Sequence, residues 1–310
     1  MNNQKVISPI TGSQNVILER TIDCQIIIDK YKKEPWGIET ERFFHGLNKI
    51  EVYRCQDSGY RFHYPSEIAG DNDFYKELGK IPWYYSDWKW EHETTVKYIN
   101  KGDKILEIGC GKGSFLKKLK ENNHFVEGLE MNTDAVKKCV DNNLMVYSDS
   151  IEDFSNKRAS FYDVVCSFQV LEHVVNVRDF IKSSITVLKP GGFMIVSVPN
   201  NDSSIFDFDN MALNMPPHHI GMWNTNSFIK LQDFFDFKIE AVHLEPFGKQ
   251  HSYVIEALAL RLNEKLRKKF GPFSPLARKI VSRPFLFGVQ MVTKHLAGHT
   301  ILAIFRKNKS

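Results

Sequence analysis

The sequence predicts an α/β protein built on a parallel sheet with helices on both faces, and three observations carry that prediction. Between residues 104 and 198 short apolar runs alternate with stretches of helical periodicity. The first of these runs ends in a glycine cluster, Gly109, Gly111 and Gly113. The composition, 42% hydrophobic and 25% charged over 310 residues, is that of an ordinary globular chain long enough for one large core with additions at both ends.

Taken in order, residues 104–108 (Lys-Ile-Leu-Glu-Ile) read as a buried strand and 114–122 as a helix with its lysines outward. A strand at 124–129, a helix at 133–141, a short strand at 144–147 and a strand at 162–168 follow. A helix at 177–188 and a strand at 192–198 complete the alternation. Beyond Pro199 lie a loop rich in Asn, Asp and Ser, the cluster Pro216-Pro217-His218-His219, a helix at about 225–235 and a strand at 237–244. The last strand candidate covers 300–305. The connection before it, a helical insertion at about 254–297, is far longer than the usual few residues and is expected to be functional or a docking element. Within it, residues 261–294 hold nine Lys or Arg against one acid, Glu264. A solvated hairpin covering the sheet is the plain reading; a basic amphipathic surface for peripheral contact with an anionic membrane is the sharper one.

Charge and cysteine usage narrow the function classes. Lys plus Arg total 41 against 37 Asp plus Glu, too small an excess to imply a nucleic-acid partner. No apolar run approaches the roughly 18 residues of a spanning helix, and the first residues lack the basic-then-apolar order of a signal peptide, so the cytoplasm is the expected compartment. The five cysteines have no paired spacing and are expected to be free thiols.

The glycine cluster leaves a strand and enters a helix, a place where backbone approaches a ligand without Cβ clashes. Dinucleotide sites use similar glycines, but Ser114 stands where their last glycine would be. Glu107, two residues before the first glycine, ends a buried strand and needs an ordered network. Glu130 ends the next strand, where a carboxylate can accept from both hydroxyls of a ribose. Asp149, Ser150 and Ile151 follow the third strand and offer an acceptor for an adenine amino group beside an apolar cover. Phe168 and Gln169 end the fourth strand beside the same place.

Five motifs in register, ILEIGCGKGSF, GLEMN, DSIEDF, YDVVCSFQVLEHV and LKPGGFMIVSVPN, span about residues 104–200, and with them the chain resembles the class I S-adenosylmethionine-dependent methyltransferases. The resemblance implies a Rossmann-like, mostly parallel seven-stranded sheet with a reversed strand, here near 300–305. It implies S-adenosyl-L-methionine as cofactor, with Gly109, Cys110, Gly111 and Gly113 around its methionine part, Glu130 and Met131 at the ribose, and Asp149 with Ile151 framing the adenine. The segment 189–192 is the family's turn before the fifth strand. The plain alternative leaves Gly109 and Gly111 serving only the turn and Glu130 only capping a helix at Asn132.

Residues 1–80 also resemble a zinc-ribbon-like segment that some of these enzymes carry before the methyltransferase domain, here 81–310. Its four ligand positions hold Ser8, Thr11, Cys55 and Ser58, and hydroxyls are poor zinc ligands, so a metal-free relic is expected. The aromatic stretch from Trp83 to Trp88 is expected to form a lid, or else a plain docking surface.

Methyl transfer from a sulfonium requires alignment of the acceptor and removal of its proton. His218 and His219, on a loop stiffened by two prolines, are the candidate bases, with His173 a weaker one. Loop histidines bonded to backbone are the alternative, and for Glu172 and His173 a structural role at the start of a helix. No metal is expected, because Gln169 replaces the first acid that related quinone-forming enzymes carry here. The Pro-Pro-His-His subgroup, with Trp223 after it, points by analogy to a hydroxyl of a sugar, nucleotide sugar or glycan as acceptor. A lipid or quinone methyltransferase at the membrane surface, a non-catalytic cofactor-binding scaffold and a dinucleotide oxidoreductase are the competing readings.

Overall fold

The structure is a computed structural model, and it describes residues 5–82, 84–85, 87–203, 211–248 and 297–309. The chain begins with β1 (Val16–Asp23) and α1 (Cys24–Lys33), then β2 (Lys49–Cys55), β3 (Arg61–Tyr64), α2 (Asn72–Gly79) and α3 (Trp90–Val96). The alternating part runs β4 (Lys104–Ile108), α4 (Ser114–Glu121), β5 (Phe125–Leu129), α5 (Thr133–Asp141), β6 (Val146–Tyr147), α6 (Ile151–Ser155), β7 (Tyr162–Phe168), α7 (Val177–Val187) and β8 (Leu188–Pro199). It closes with β9 (Gly221–Met222), α8 (Thr225–Leu231), β10 (Phe237–Pro246) and β11 (Ala297–Lys307).

Seven strands form the main sheet in the order β10-β11-β8-β7-β4-β5-β6. Strands β4 to β8 are parallel where they pair, and β11 is the reversed strand, antiparallel to both β8 and β10. Successive residues of the central strands face opposite sides, as the pleat requires. Leu106, Val165, Val196 and Ala303 enter one apolar cluster, while Ile105, Val164, Ile195 and Leu302 enter the other. Burial on both faces explains why these strands read as unbroken apolar runs. The segment 189–192 is a bulge within β8 and not the expected turn: Tyr162 pairs with Leu188 and Val164 with Phe193, so four residues loop out opposite Asp163. Lys189 Nζ donates to Asp163 Oδ1 at 2.6 Å and anchors the bulge.

A second sheet, β1-β2-β3-β9, takes its last strand from beyond the histidine cluster, with Phe62 opposite Gly221. A third apolar cluster joins Ile27, Tyr31, Phe74 and Leu78 to Ala212, Met215 and Ile220. Residues of the first 80 thus pack directly around the loop that carries His218 and His219. The side chains of Ser8, Thr11 and Ser58 converge on buried Cys55, with Thr11 Oγ1 at 3.7 Å from the sulfur. Burial raises the Cys55 thiol pKa, the surrounding hydroxyl hydrogen bonds lower it, and the balance is a lowered value. All five cysteines are buried and unbridged. The helical insertion at 254–297 and the basic stretch 261–294 lie outside the described residues, apart from the first residue of β11. Among the described residues no helix is long and apolar enough to cross a membrane.

Candidate active site

At β4 the sheet order turns: β5 lies on one side and β7 on the other, and in open α/β sheets ligands bind at the carboxyl ends of strands beside such a switch. The turn after β4 holds Gly109 and Gly111 at φ +74 and +53, left-handed values that favour glycine. Space is as restrictive as conformation. A Cβ on Gly109 would stand 2.4 Å from Val170 Cγ2, and one on Gly111 would stand 3.0 Å from the Tyr85 ring. The N–H groups of Gly109 and Cys110 both donate to Leu129 O, at 2.7 and 3.1 Å, tying the turn to the end of β5.

Glu130 completes that link. Its Oε2 accepts the Gly111 N–H and its Oε1 the Asn132 N–H, each at 2.8 Å. Burial raises its pKa and the backbone donors oppose the rise. Asn132 itself caps α5, accepting from the backbone of Asp134 and Ala135, so Glu130 buttresses both the glycine turn and the helix start. Glu130 borders the cavity, and a carboxylate can accept more hydrogen bonds than these two.

One cavity of about 1190 Å³ gathers the expected cofactor residues: Glu107, Gly109, Cys110, Gly111, Glu130 and Met131 at one part of its wall. Asp149, Ser150, Ile151, Phe168 and Gln169 line it further on. Gly113 is not among the lining residues: it borders Cys139 and Leu144, where a Cβ would come within 2.9 and 2.5 Å. Ser150 lines the cavity while its hydroxyl caps α6, accepting the Asp153 N–H at 3.1 Å. Asp149 Oδ1 accepts from Lys157 Nζ at 3.2 Å. Gln169 adopts φ +56, uncommon for a side chain with a Cβ, and its N–H donates to Ser197 O.

Glu107 is buried, and burial holds its carboxyl well above the usual range. The network expected around it is incomplete: its Oε2 has no partner among the described residues. An unpaired buried oxygen bordering a cavity fits a ligand that brings donors, such as an amino acid moiety. With the tight glycine cradle and the carboxylate of Glu130, it makes the cavity suited to S-adenosylmethionine.

The aromatic stretch, expected as a lid or a docking surface, borders the cavity, and α3 adds residues there that sequence reasoning did not assign. Tyr84, Tyr85 and Trp88 line it, whereas Trp83 and Ser86 lie outside the described residues. His92 packs among Trp88, Phe115 and Phe168 with ring centroids 4.8–5.2 Å apart, and its Nδ1 accepts the Lys89 N–H at 3.2 Å. Burial, reinforced by the Lys89 charge, pushes its pKa down to about 3. The unfolded chain, with an ordinary histidine near 6.5, therefore binds the proton first, and stability falls as pH drops from about 6.5 toward 3. Denaturant melts of wild type are expected to lose roughly 2–3 kcal/mol more between pH 7 and pH 4 than those of His92→Phe. Equal losses in the two proteins would refute the assignment.

His173, His218 and His219 also line the cavity, brought together from the turn after β7 and from the loop before β9. The near-neutral bases expected from sequence are not what the fold produces. Burial, aided by the neighbouring imidazoles, pushes His218 and His219 well below the ordinary value, and burial brings His173 to about 4. Glu172 and His173 do not start a helix, since α7 begins at Val177. Glu172 O instead accepts the N–H groups of Ile220 and Gly221, each at 2.9 Å, which pins the histidine loop to the turn after β7. Sequence spacing could not have shown this, because the two segments are some 45 residues apart.

A sheet with one reversed strand, carrying a glycine turn braced by the acid that ends the next strand, defines the class: an S-adenosylmethionine-dependent methyltransferase. A family model described as a methyltransferase domain matches residues 84–242, just over half of the chain, and the chain belongs to that family. It is similar to the ubiquinone biosynthesis O-methyltransferase of Vibrio vulnificus, 29% identical over 113 residues, covering 34% of this chain and 48% of that protein. The enzyme of the same name from Erwinia tasmaniensis is 27% identical over 167 residues, covering 51% and 64%. The chain thus spans about half the length of the first of these relatives. Among solved structures, a SAM-dependent methyltransferase from Archaeoglobus fulgidus matches with a TM-score of 0.48 at 16% identity, covering 69% of this chain and 90% of that one.

Proposed function

We propose that the chain transfers the methyl group of S-adenosylmethionine to a hydroxyl on an aromatic ring, a phenol or quinol of small size. The observation that carries this reading is the wall of the cavity away from the glycine turn, where Tyr75, Tyr84, Met211 and Leu213 present flat or flexible apolar surface. Such a wall suits a planar ring, whereas a sugar is held by several directed hydrogen bonds. The relatives' name, with its O-methylation in ubiquinone biosynthesis, supports the same acceptor chemistry.

The bound cofactor supplies an electrophilic methyl on a sulfonium, already attached to a good leaving group. The acceptor reacts as its phenolate, its hydroxyl proton lost to solvent before the oxygen takes the methyl group, and the chain's own part is positioning. Glu130 and the glycine turn hold the nucleoside and amino acid ends, and the aromatic wall orients the acceptor and sheds water from it. Release of S-adenosylhomocysteine is expected with catechol and 3,4-dihydroxybenzoate at rates at least tenfold above those with UDP-glucose and GDP-mannose, on the order of 1.4 kcal/mol of discrimination. Turnover of the nucleotide sugars with none of the phenols would replace this reading with a glycan acceptor.

A further inference from the structure

We propose that His173, His218 and His219, with the carboxylate of Glu172, form a binding site for one divalent transition-metal ion of the zinc class. One ring nitrogen of each histidine lies within 4.8 Å of the others. The ring centroids are 4.4, 4.9 and 4.5 Å apart. Glu172 Oε1 stands 3.9 Å from His173 Nε2 and 4.0 Å from His219 Nε2.

Hydrogen bonding determines which nitrogen each ring offers. His173 Nδ1 lies 2.6 Å from His218 O, and His218 Nδ1 lies 2.8 Å from Leu213 O. A carbonyl oxygen only accepts, so both Nδ1 atoms carry the proton and both Nε2 atoms keep a lone pair. His219 Nδ1 meets Asn214 Oδ1 at 2.9 Å, and the orientation of that amide follows from a chain of bonds. Asn201 Nδ2 donates to Pro199 O, which turns Asn201 Oδ1 toward Asn214 Nδ2, which in turn leaves Asn214 Oδ1 for His219. All three rings are therefore held in one tautomer by oxygen acceptors, the support that metal-bound histidines commonly have.

Glu172 gives a second, independent indication. It is 1% exposed, and its Oε2 has no partner among the described residues. A buried carboxylate beside three uncharged rings is costly, and a cation between them answers the cost. Three imidazoles and a carboxylate suit zinc better than magnesium, which prefers oxygen ligands. Tetrahedral zinc holds its nitrogens about 3.4 Å apart, so the rings draw together when the ion binds. The Tyr84 hydroxyl, 3.0 Å from His218 Nε2, donates to that nitrogen and competes with the ion for it. Zinc also expands to five ligands, which leaves room for an oxygen of the acceptor. The site needs only the fold and not the phenolic acceptor proposed above.

The test is titration of the full chain, stripped with EDTA, with cobalt(II), followed by visible absorption. The expected result is one cobalt per chain, with the d–d bands of a nitrogen and oxygen site and without the intense thiolate band that the cysteines would supply. His173→Asn and His219→Asn are expected to weaken binding at least tenfold, on the order of the effects seen when metal sites are disturbed. Calorimetry with S-adenosylhomocysteine confirms that these variants are folded. Tyr84→Phe frees the third nitrogen and is expected to tighten cobalt binding several-fold. No stoichiometric cobalt, a thiolate spectrum, or folded histidine variants that bind as wild type does would each overturn the proposal.

Discussion

Glu130→Ala is expected to weaken S-adenosylhomocysteine binding by about 100-fold while leaving the protein folded. Two losses add in this substitution. The carboxylate oxygens proposed to meet the ribose hydroxyls are gone, and hydrogen bonds to a charged acceptor contribute about 1.5–3 kcal/mol each. The N–H groups of Gly111 and Asn132 also lose their acceptors, so the glycine turn relaxes before ligand arrives. Glu130→Gln keeps one carbonyl oxygen and the side-chain shape, and its loss should fall between alanine and wild type. Calorimetric titration measures all three. An alanine variant that binds within threefold of wild type would show that Glu130 only braces the loop.

Trp223→Ala is expected to destabilise the fold by about 3–5 kcal/mol, the usual cost of emptying a buried aromatic site. Trp223 is fully buried, with its ring 4.5 Å from that of Tyr60 and 4.8 Å from that of Phe228. It fills the seam between the four-stranded sheet and the main sheet, immediately after β9. Its indole nitrogen has no acceptor among the described residues, so Trp223→Phe gives up packing volume but no hydrogen bond. Thermal melts should place the phenylalanine variant near wild type and the alanine variant lower by on the order of 10 °C. If the two variants melt together, the ring is not what holds the sheets.

The half of the fold that alternates strand and helix was legible because its signals are local. Strands 104–108 and 162–168 and helix 133–141 have the bounds read from periodicity, and the glycines mark where β4 stops. The first 80 residues carried no such alternation. Their sheet is completed at one edge by Gly221 and Met222, a pairing no window of sequence contains. The lining of the cavity was readable for the same reason as β4: each of these residues sits at or just after a strand end, and strand ends meet at one edge of a parallel sheet. Gly113 matches the motif in spacing while its surroundings, Cys139 and Leu144, belong to α5 and the turn beyond it, which spacing alone does not show. The histidines were recognised singly and not as a trio, and their ordinary solution basicity did not survive burial. Burial depends on Tyr75, Tyr84 and Phe74, which reach them from the N-terminal part.

The reversed strand has a consequence for how the protein assembles. β11 lies between β8 and β10 in space but follows β8 by roughly a hundred residues in sequence, and it supplies partners to both. Until it arrives, β8 and β10 each present a bare row of peptide groups, the kind of edge that recruits foreign strands. During synthesis the ligand-binding half can close while this seam is still open. A ribosome-bound chain stopped before Ala297 should therefore be a target for chaperones and a seed for aggregation, even if its glycine turn is already formed.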